Sequence, residues 1–233
     1  MPSQWSTVHV DGQQMWTYTS IPDSPGPHPG VVLMHHGYLD DWVQGMVNRV
    51  SQAGYAVIAP DLHHRVDPDV TDIPTKFSQL RDENTIKDVN AAIDLLRRHP
   101  SVRGDRIGIM GFCLGGRTSY LMAAVNPSLK AAAAFYPGNT MAVWGDGPAP
   151  FDRTANIGCP LIGFFGEDDP NPTPEDMRKL DAELTRHGKT HSFHSYPGAG
   201  HSFQWNGNDA YRADAAGDSW DKLLAWFQQH LRA

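Results

Sequence analysis

Cys113 lies in Gly111-Phe112-Cys113-Leu114-Gly115-Gly116. Before it runs an apolar stretch, Arg106-Ile107-Gly108-Ile109-Met110, which reads as a buried strand. After it comes Arg117-Thr118-Ser119-Tyr120-Leu121-Met122-Ala123-Ala124, which reads as the opening of a helix. Strand, glycine-flanked residue and helix is the context of a nucleophile elbow, G-x-S-x-G, with cysteine in place of serine. The glycines allow a sharp turn and leave room for neighbouring elements to pack against it. Cys113 is therefore a candidate catalytic thiol. With a free pKa of about 8.5, only a few per cent of such a thiol is thiolate at neutral pH, so the chemistry needs a base.

His201 follows the last strand-like run, in Pro197-Gly198-Ala199-Gly200-His201, and Asp169 follows another, in Gly166-Glu167-Asp168-Asp169. The order Cys113, Asp169, His201 is the nucleophile, acid, histidine order of α/β-hydrolases, with each residue at a strand end. A histidine within reach takes the thiol proton and returns it to the leaving group, help worth roughly 10²–10⁴-fold. The aspartate holds the imidazole in the correct tautomer and steadies the imidazolium. The acyl oxygen needs two donors. The Leu114 backbone N–H at the helix start is one candidate, and the Gly37 N–H, in the loop after an earlier strand, is the other.

Around these residues the pattern alternates between short apolar runs and amphipathic stretches. Ser6 to Val10 and Gln14 to Ile21, joined by Asp11-Gly12, read as a hairpin. Residues 22–29 read as a proline-rich loop. Val31 to Met34, Tyr55 to Ala59, Ala131 to Tyr136, Leu161 to Phe165 and Ser192 to Tyr196 read as strands. Helices are expected at Trp42 to Ala53, Thr85 to Arg98, Thr173 to about His187, and Asp209 to Leu231. Asp82 and Glu83 suit the positive end of the second of these, and Arg97 and Arg98 its negative end. Residues 63–81 and 137–156 read as long irregular loops. Such alternation implies an α/β fold over residues 1–233, one domain with a mostly parallel central sheet and helices on both faces. Ligands of such sheets bind beyond the carboxyl ends of the strands. The expected pocket residues are thus His36, Tyr38, His64, Arg65, Tyr136, Trp144 and Trp205.

The resemblance these motifs carry is to the dienelactone hydrolase family. Pro60-Asp61-Leu62, the elbow itself, the Gly166-x-x-Asp169 turn and Gly198-Ala199-Gly200-His201-Ser202-Phe203 match its pattern, from about Val31 to the C-terminal helix. The resemblance implies an α/β-hydrolase fold and a Cys-His-Asp triad acting on small esters and lactones. It implies Cys113 as nucleophile, His201 as base and Asp169, rather than Asp168, as the orienting acid. Two positions depart from the family's type enzymes. His36 stands where they carry a glutamate that engages the resting cysteine. Trp205 stands where they carry an arginine for the substrate carboxylate, so a neutral or apolar ester suits this chain better.

The totals agree with such an enzyme. A net charge of -7 lacks the basic footprint of a nucleic-acid binder. No stretch has the apolar length of a membrane span, and the N-terminus shows no secretory pattern. Two cysteines, Cys113 and Cys159, make no disulfide framework and point to a reducing, cytoplasmic setting. Cys159, before Pro160 and an apolar run, reads as structural. Among the histidines, His191 and His194 fall on opposite faces of a strand, and no Cys or Glu cluster completes a four-ligand set. Neither a metal nor a cofactor is expected. The leading expectation is a thiol hydrolase for a small carboxylic ester or lactone. A thiol acyltransferase or thioesterase using the same triad, and a non-catalytic ligand-binding relative, are the alternatives; the oligomeric state is left open.

Overall fold

A computed structural model describes residues 3–232. Its strands are β1 (Ser3–Val10), β2 (Gln13–Ser20), β3 (His28–Met34), β4 (Ala56–Pro60), β5 (Val102–Phe112), β6 (Ala131–Phe135), β7 (Leu161–Gly166) and β8 (His191–Tyr196). Its helices are α1 (Asp41–Gln52), α2 (Ile73–Ser78), α3 (Asp82–Arg97), α4 (Leu114–Val125), α5 (Pro174–Arg186) and α6 (Ala213–Leu231), with a 3₁₀ turn at Phe151–Asn156. All eight strands join one sheet in the order β1-β2-β4-β3-β5-β6-β7-β8. The β1–β2 hairpin is antiparallel and β2 meets β4 antiparallel; from β4 to β8 every pairing is parallel.

β4, β6 and β7 are apolar along their whole length because both of their faces are covered. β3, β4, β6 and β7 are buried throughout. Alternation divides their side chains between two cores. Val32, Met34 and Ile109 pack with Val89, Ile93, Leu180 and Leu184 of α3 and α5. Val31, Leu33 and Met110 pack with Val43, Val47, Leu223 and Phe227 of α1 and α6. No helix among the described residues is long and apolar enough to cross a membrane.

The structure corrects several boundaries. His28 and Pro29, read as loop, open β3, with a register shift between Pro29 and Gly30. The first core helix past residue 81 starts at Asp82, and the last helix starts at Ala213 instead of Asp209. The segment read as an irregular loop over 63–81 holds α2. Asp72 caps that helix by accepting from the Thr75 N–H at 2.9 Å, with proline in the first turn. Six residues are too few to show helical periodicity, whereas the Asp-x-Pro start was visible. The 137–156 loop likewise ends in the 3₁₀ turn.

Between β5 and α4 the chain turns through Cys113 at φ 55° and ψ −113°, a sparsely populated conformation for a residue with a side chain. The turn is held by close packing. A Cβ on Gly115 would overlap the Met34 carbonyl at the end of β3, and one on Gly111 would overlap the Gly115 backbone. Gly115→Ala therefore forces β3 and α4 apart and is expected to destabilise the protein by more than about 2 kcal/mol, as overpacking against backbone does. Gly45, in exposed mid-α1, has nothing within 4 Å of its would-be Cβ. Gly45→Ala is expected to stabilise by about 0.5–1 kcal/mol. Urea denaturation of the two variants beside the parent chain checks the contrast.

Candidate active site

Three strand ends converge above the elbow. The loop after β7 brings Asp169, the loop after β8 brings His201, and the loop after β6 brings Tyr136 to Asn139. The Asp169 carboxylate is fully buried, and its Oδ2 lies 2.9 Å from His201 Nδ1. Its Oδ1 accepts from the Asn171 N–H at 2.8 Å, so both oxygens are engaged. The neighbouring Asp168 is exposed. His201 also stands beside Cys113, close enough for the two side chains to interact electrostatically. The structure thus brings Cys113, His201 and Asp169 together at one place, with His201 bonded to Asp169.

Burial pulls the His201 imidazolium down, but the Asp169 hydrogen bond, the Cys113 side chain beside it and their two negative charges outweigh it, raising its pKa to about 10. The Tyr136 ring meets the His201 ring edge-on at 5.0 Å. Burial, with the Cys113 and Asp169 charges, raises the Tyr136 hydroxyl well above its ordinary range, which keeps it a neutral neighbour. Besides Asp11 in the hairpin turn, the described non-glycine residues with positive φ are Cys113, Tyr136, Asn139 and Ser202. All four stand at this site or next to it in sequence, where backbone strain commonly gathers.

A cleft of about 370 Å³ opens over Cys113 and His201. Leu114 lines it at the first position of α4, where the amide has no acceptor inside the helix. Phe77 of α2 and Trp144 form an apolar wall, their ring centroids 6.2 Å apart. Asn139 and Asn171 are opposite polar partners, joined by a 3.0 Å hydrogen bond from the Asn139 N–H to Asn171 Oδ1. Gly37 is buried beneath α2, and a Cβ there would press Ile73 Cδ1 at 2.9 Å and Phe77 at 3.7 Å.

Of the expected pocket residues, Trp144 lines this cleft and Tyr136 supports His201. The others lie elsewhere. His64 and Arg65 turn away to the buried Asp88 of α3: His64 Nε2 lies 3.1 Å and Arg65 Nη2 2.6 Å from its carboxylate. A buried carboxylate needs such partners, and that demand overrides the residues' position on the rim. Tyr38 is exposed, donates its hydroxyl to the Thr71 carbonyl, and lies under Lys76. His36 joins an aromatic group with Trp205 and Trp42, at 5.0 and 5.5 Å between ring centroids, outside the cleft lining. Its Nε2 lies 3.1 Å from Asp40 Oδ2, and burial, despite Asp40, lowers its pKa.

Sequence reasoning missed Phe77, Asn139 and Asn171, and it missed the pair beneath them. Arg117, in α4, is buried and forms a bidentate contact with the buried Asp82, its Nη2 at 3.0 Å from Asp82 Oδ2. The same guanidinium donates to the carbonyls of Asn139 at 3.0 Å and Ala142 at 2.8 Å, and stacks on the Trp144 ring at 3.9 Å. The available signal was an arginine inside a helix buried from Leu114 to Ala123. Asp82, read as a helix-end charge, serves chiefly this pair. Among the described residues, no group of three or more His, Cys, Asp or Glu is arranged to hold a metal.

Two measurements follow from the site's electrostatics. Burial pushes the Cys159 thiol up to about 12, against a smaller opposing effect of Lys130. Iodoacetamide is therefore expected to label one thiol of the native chain, at Cys113, and two in denaturant, as counted by peptide mass spectrometry. For His201 the folded pKa is raised, so its stabilisation is complete below about pH 6.5 and is lost as pH rises through about 10. Cys113→Ala removes two of the raising causes. The His201 titration, followed by imidazole NMR, should then move to lower pH, and the loss of stability toward alkaline pH should shrink.

The profile of the dienelactone hydrolase family matches residues 15–231 of this chain. A Bradyrhizobium sp. protein provisionally named 2-oxo-3-(5-oxofuran-2-ylidene)propanoate lactonase is 30% identical, over 97% of this chain and 94% of its own. An Escherichia coli strain K12 protein provisionally named carboxymethylenebutenolidase is 32% identical, over 97% of this chain and 86% of its own. The crystal structure of a Klebsiella pneumoniae protein provisionally assigned as a dienelactone hydrolase superposes with a TM-score of 0.90 at 29% identity, over 98% of this chain and 99% of that one. With that architecture and a family profile spanning nearly its whole length, the chain belongs to the dienelactone hydrolase family and has the α/β-hydrolase fold.

Proposed function

We propose that the protein hydrolyses a small carboxylic ester or lactone through Cys113, with no cofactor in the reaction. The observation that carries this is the His201 imidazole bonded to buried Asp169 and standing in the same cleft as a cysteine on a strained elbow. The lactonase and carboxymethylenebutenolidase names of the relatives support the same substrate chemistry.

In this reading the Cys113 proton already rests on His201, whose pKa is raised, and the Cys113 thiolate attacks the acyl carbon. Asp169, bonded to Nδ1, leaves Nε2 facing the thiol and stabilises the imidazolium. The carbonyl oxygen becomes an oxyanion held by the Leu114 N–H and the Gly37 N–H, each donor worth about 10²–10³-fold in turnover. Collapse expels the alkoxide, which takes the proton from His201, and leaves a thioester on Cys113. Water, deprotonated by His201, then attacks the thioester carbonyl. Its collapse releases the carboxylic acid and restores the thiol. For a lactone the alcohol and the acid are two ends of one product.

Hydrolysis of p-nitrophenyl acetate and a panel of lactones tests the mechanism. Cys113→Ala should abolish turnover, and Asp169→Asn should lower kcat by roughly 10²–10⁴-fold while the fold is retained. Full activity in Cys113→Ala would refute the thiol mechanism, and a wild-type chain inert on the whole panel would indicate a ligand-binding relative instead. Product analysis with added alcohols or amines separates hydrolysis from acyl transfer.

A further inference from the structure

We propose that the cleft selects an uncharged, flat acyl group, that Trp144 is the residue that selects it, and that Arg117 is a positioning residue for Trp144. This rests on the reading of Cys113 as the acyl acceptor. Charge is the first argument. The ionisable residues lining the cleft are Cys113, Asp169 and His201, and no lysine or arginine lines it. A substrate carboxylate would enter beside the Asp169 charge and find no cation but His201, which already serves Asp169. Burying it there would cost its hydration without a dedicated partner.

The buried cation behind the cleft wall is committed elsewhere. Arg117 spends its donors on both Asp82 oxygens and on the Asn139 and Ala142 carbonyls, behind the Trp144 ring. A guanidinium has five N–H donors, so it retains almost none for a ligand. Turning it into the cleft would strand Asp82, which is 3% exposed. Arg81 donates through Nη1 to the Ser78 and Leu80 carbonyls, Lys76 sits over Tyr38, and neither lines the cleft.

The second argument is the fixed aromatic wall. Arg117 holds Trp144 from behind, and the Trp144 carbonyl accepts from the Asp82 N–H at 2.6 Å. Phe77 is backed by a stacked His63 at 6.0 Å and an interplanar angle of 15°. Rings whose orientation is already set lose little entropy on binding, and they favour a planar apolar face over a bulky or charged one.

The test is binding, measured by calorimetry on the full chain carrying Cys113→Ala, with coumarin and coumarin-3-carboxylate as matched planar probes. Coumarin should bind at least about tenfold more tightly than its carboxylate. Trp144→Ala in that background should weaken coumarin about tenfold, whereas Trp144→Phe, which keeps a flat ring, should retain most of the affinity. Equal or tighter binding of the carboxylate, no effect of Trp144→Ala, or no binding of either probe overturns the proposal. For Arg117 the readout is a split in wild-type turnover of dihydrocoumarin. Arg117→Lys should raise KM several-fold with kcat and the Cys113 alkylation rate within about twofold; an unchanged KM, or kcat and alkylation impaired as much as KM, marks a merely structural role and overturns the positioning claim. Selective coumarin binding without ester turnover would refute the hydrolase reading alone, and turnover without selectivity would refute this one alone.

Discussion

The structure depends on holding Cys113 at φ 55° and ψ −113°. A side-chain-bearing residue in such a conformation costs of order 1–3 kcal/mol, so the surroundings must over-determine it. They do so through the sheet. The Cys113 N–H donates to the Phe135 carbonyl at the end of β6, the Cys113 carbonyl accepts from the Arg117 N–H, and Gly115 packs directly under the Met34 carbonyl of β3. A helix buried from Leu114 to Ala123 cannot relax away from those contacts without opening the core. The parallel sheet then supplies the rest, because its strands deliver their following loops to the same end. Tyr136, Asp169 and His201 reach the elbow because β6, β7 and β8 run parallel to β5.

Charges are sorted in a consistent way around this centre. Asp82 is answered by Arg117, and Asp88 by Arg65 and His64. Both buried carboxylates therefore have partners and leave no free charge toward the cleft. Tyr136 stays a phenol against the His201 ring, and burial lowers the His36 pKa despite Asp40, so neither adds charge beside the imidazole under neutral conditions. His201, with Asp169 on one side and Cys113 on the other, is the imidazole whose pKa is raised at the site. The field at the cleft floor is thereby concentrated on the proposed reacting atoms.

The parts of this arrangement that are local in sequence were legible without the structure. Gly111 and Gly115 flank Cys113 within one turn, and the apolar runs that become β3, β4, β6 and β7 lie close to their expected bounds. The strand ends could also be located, which put Asp169 and His201 in view as candidates. The cleft wall was not legible, because it depends on pairings between distant segments. Arg117 finds Asp82 across 35 positions and Arg65 finds Asp88 across 23, and no spacing rule reports such contacts. Position on the rim suggested His64 and Arg65 as pocket residues; the demand of a buried carboxylate took them away. Phe77 was hidden for a different reason, since it belongs to a helix shorter than two turns.

Arg117 is where these two levels meet. Its backbone N–H closes the first turn of α4 on the Cys113 carbonyl, and its guanidinium holds the 137–144 segment that forms the wall. A change at Phe77 or Trp144 alters a surface that the elbow does not lean on, so substrate preference can shift there while the strained turn persists. A change at Arg117 disturbs the wall, leaves Asp82 buried without its partner, and acts one turn from the proposed nucleophile. Sites that share no partner tend to vary independently, whereas residues in one hydrogen-bonded network do not. The proposed specificity is therefore more readily retuned from the two ring-bearing segments than from the charge that anchors them.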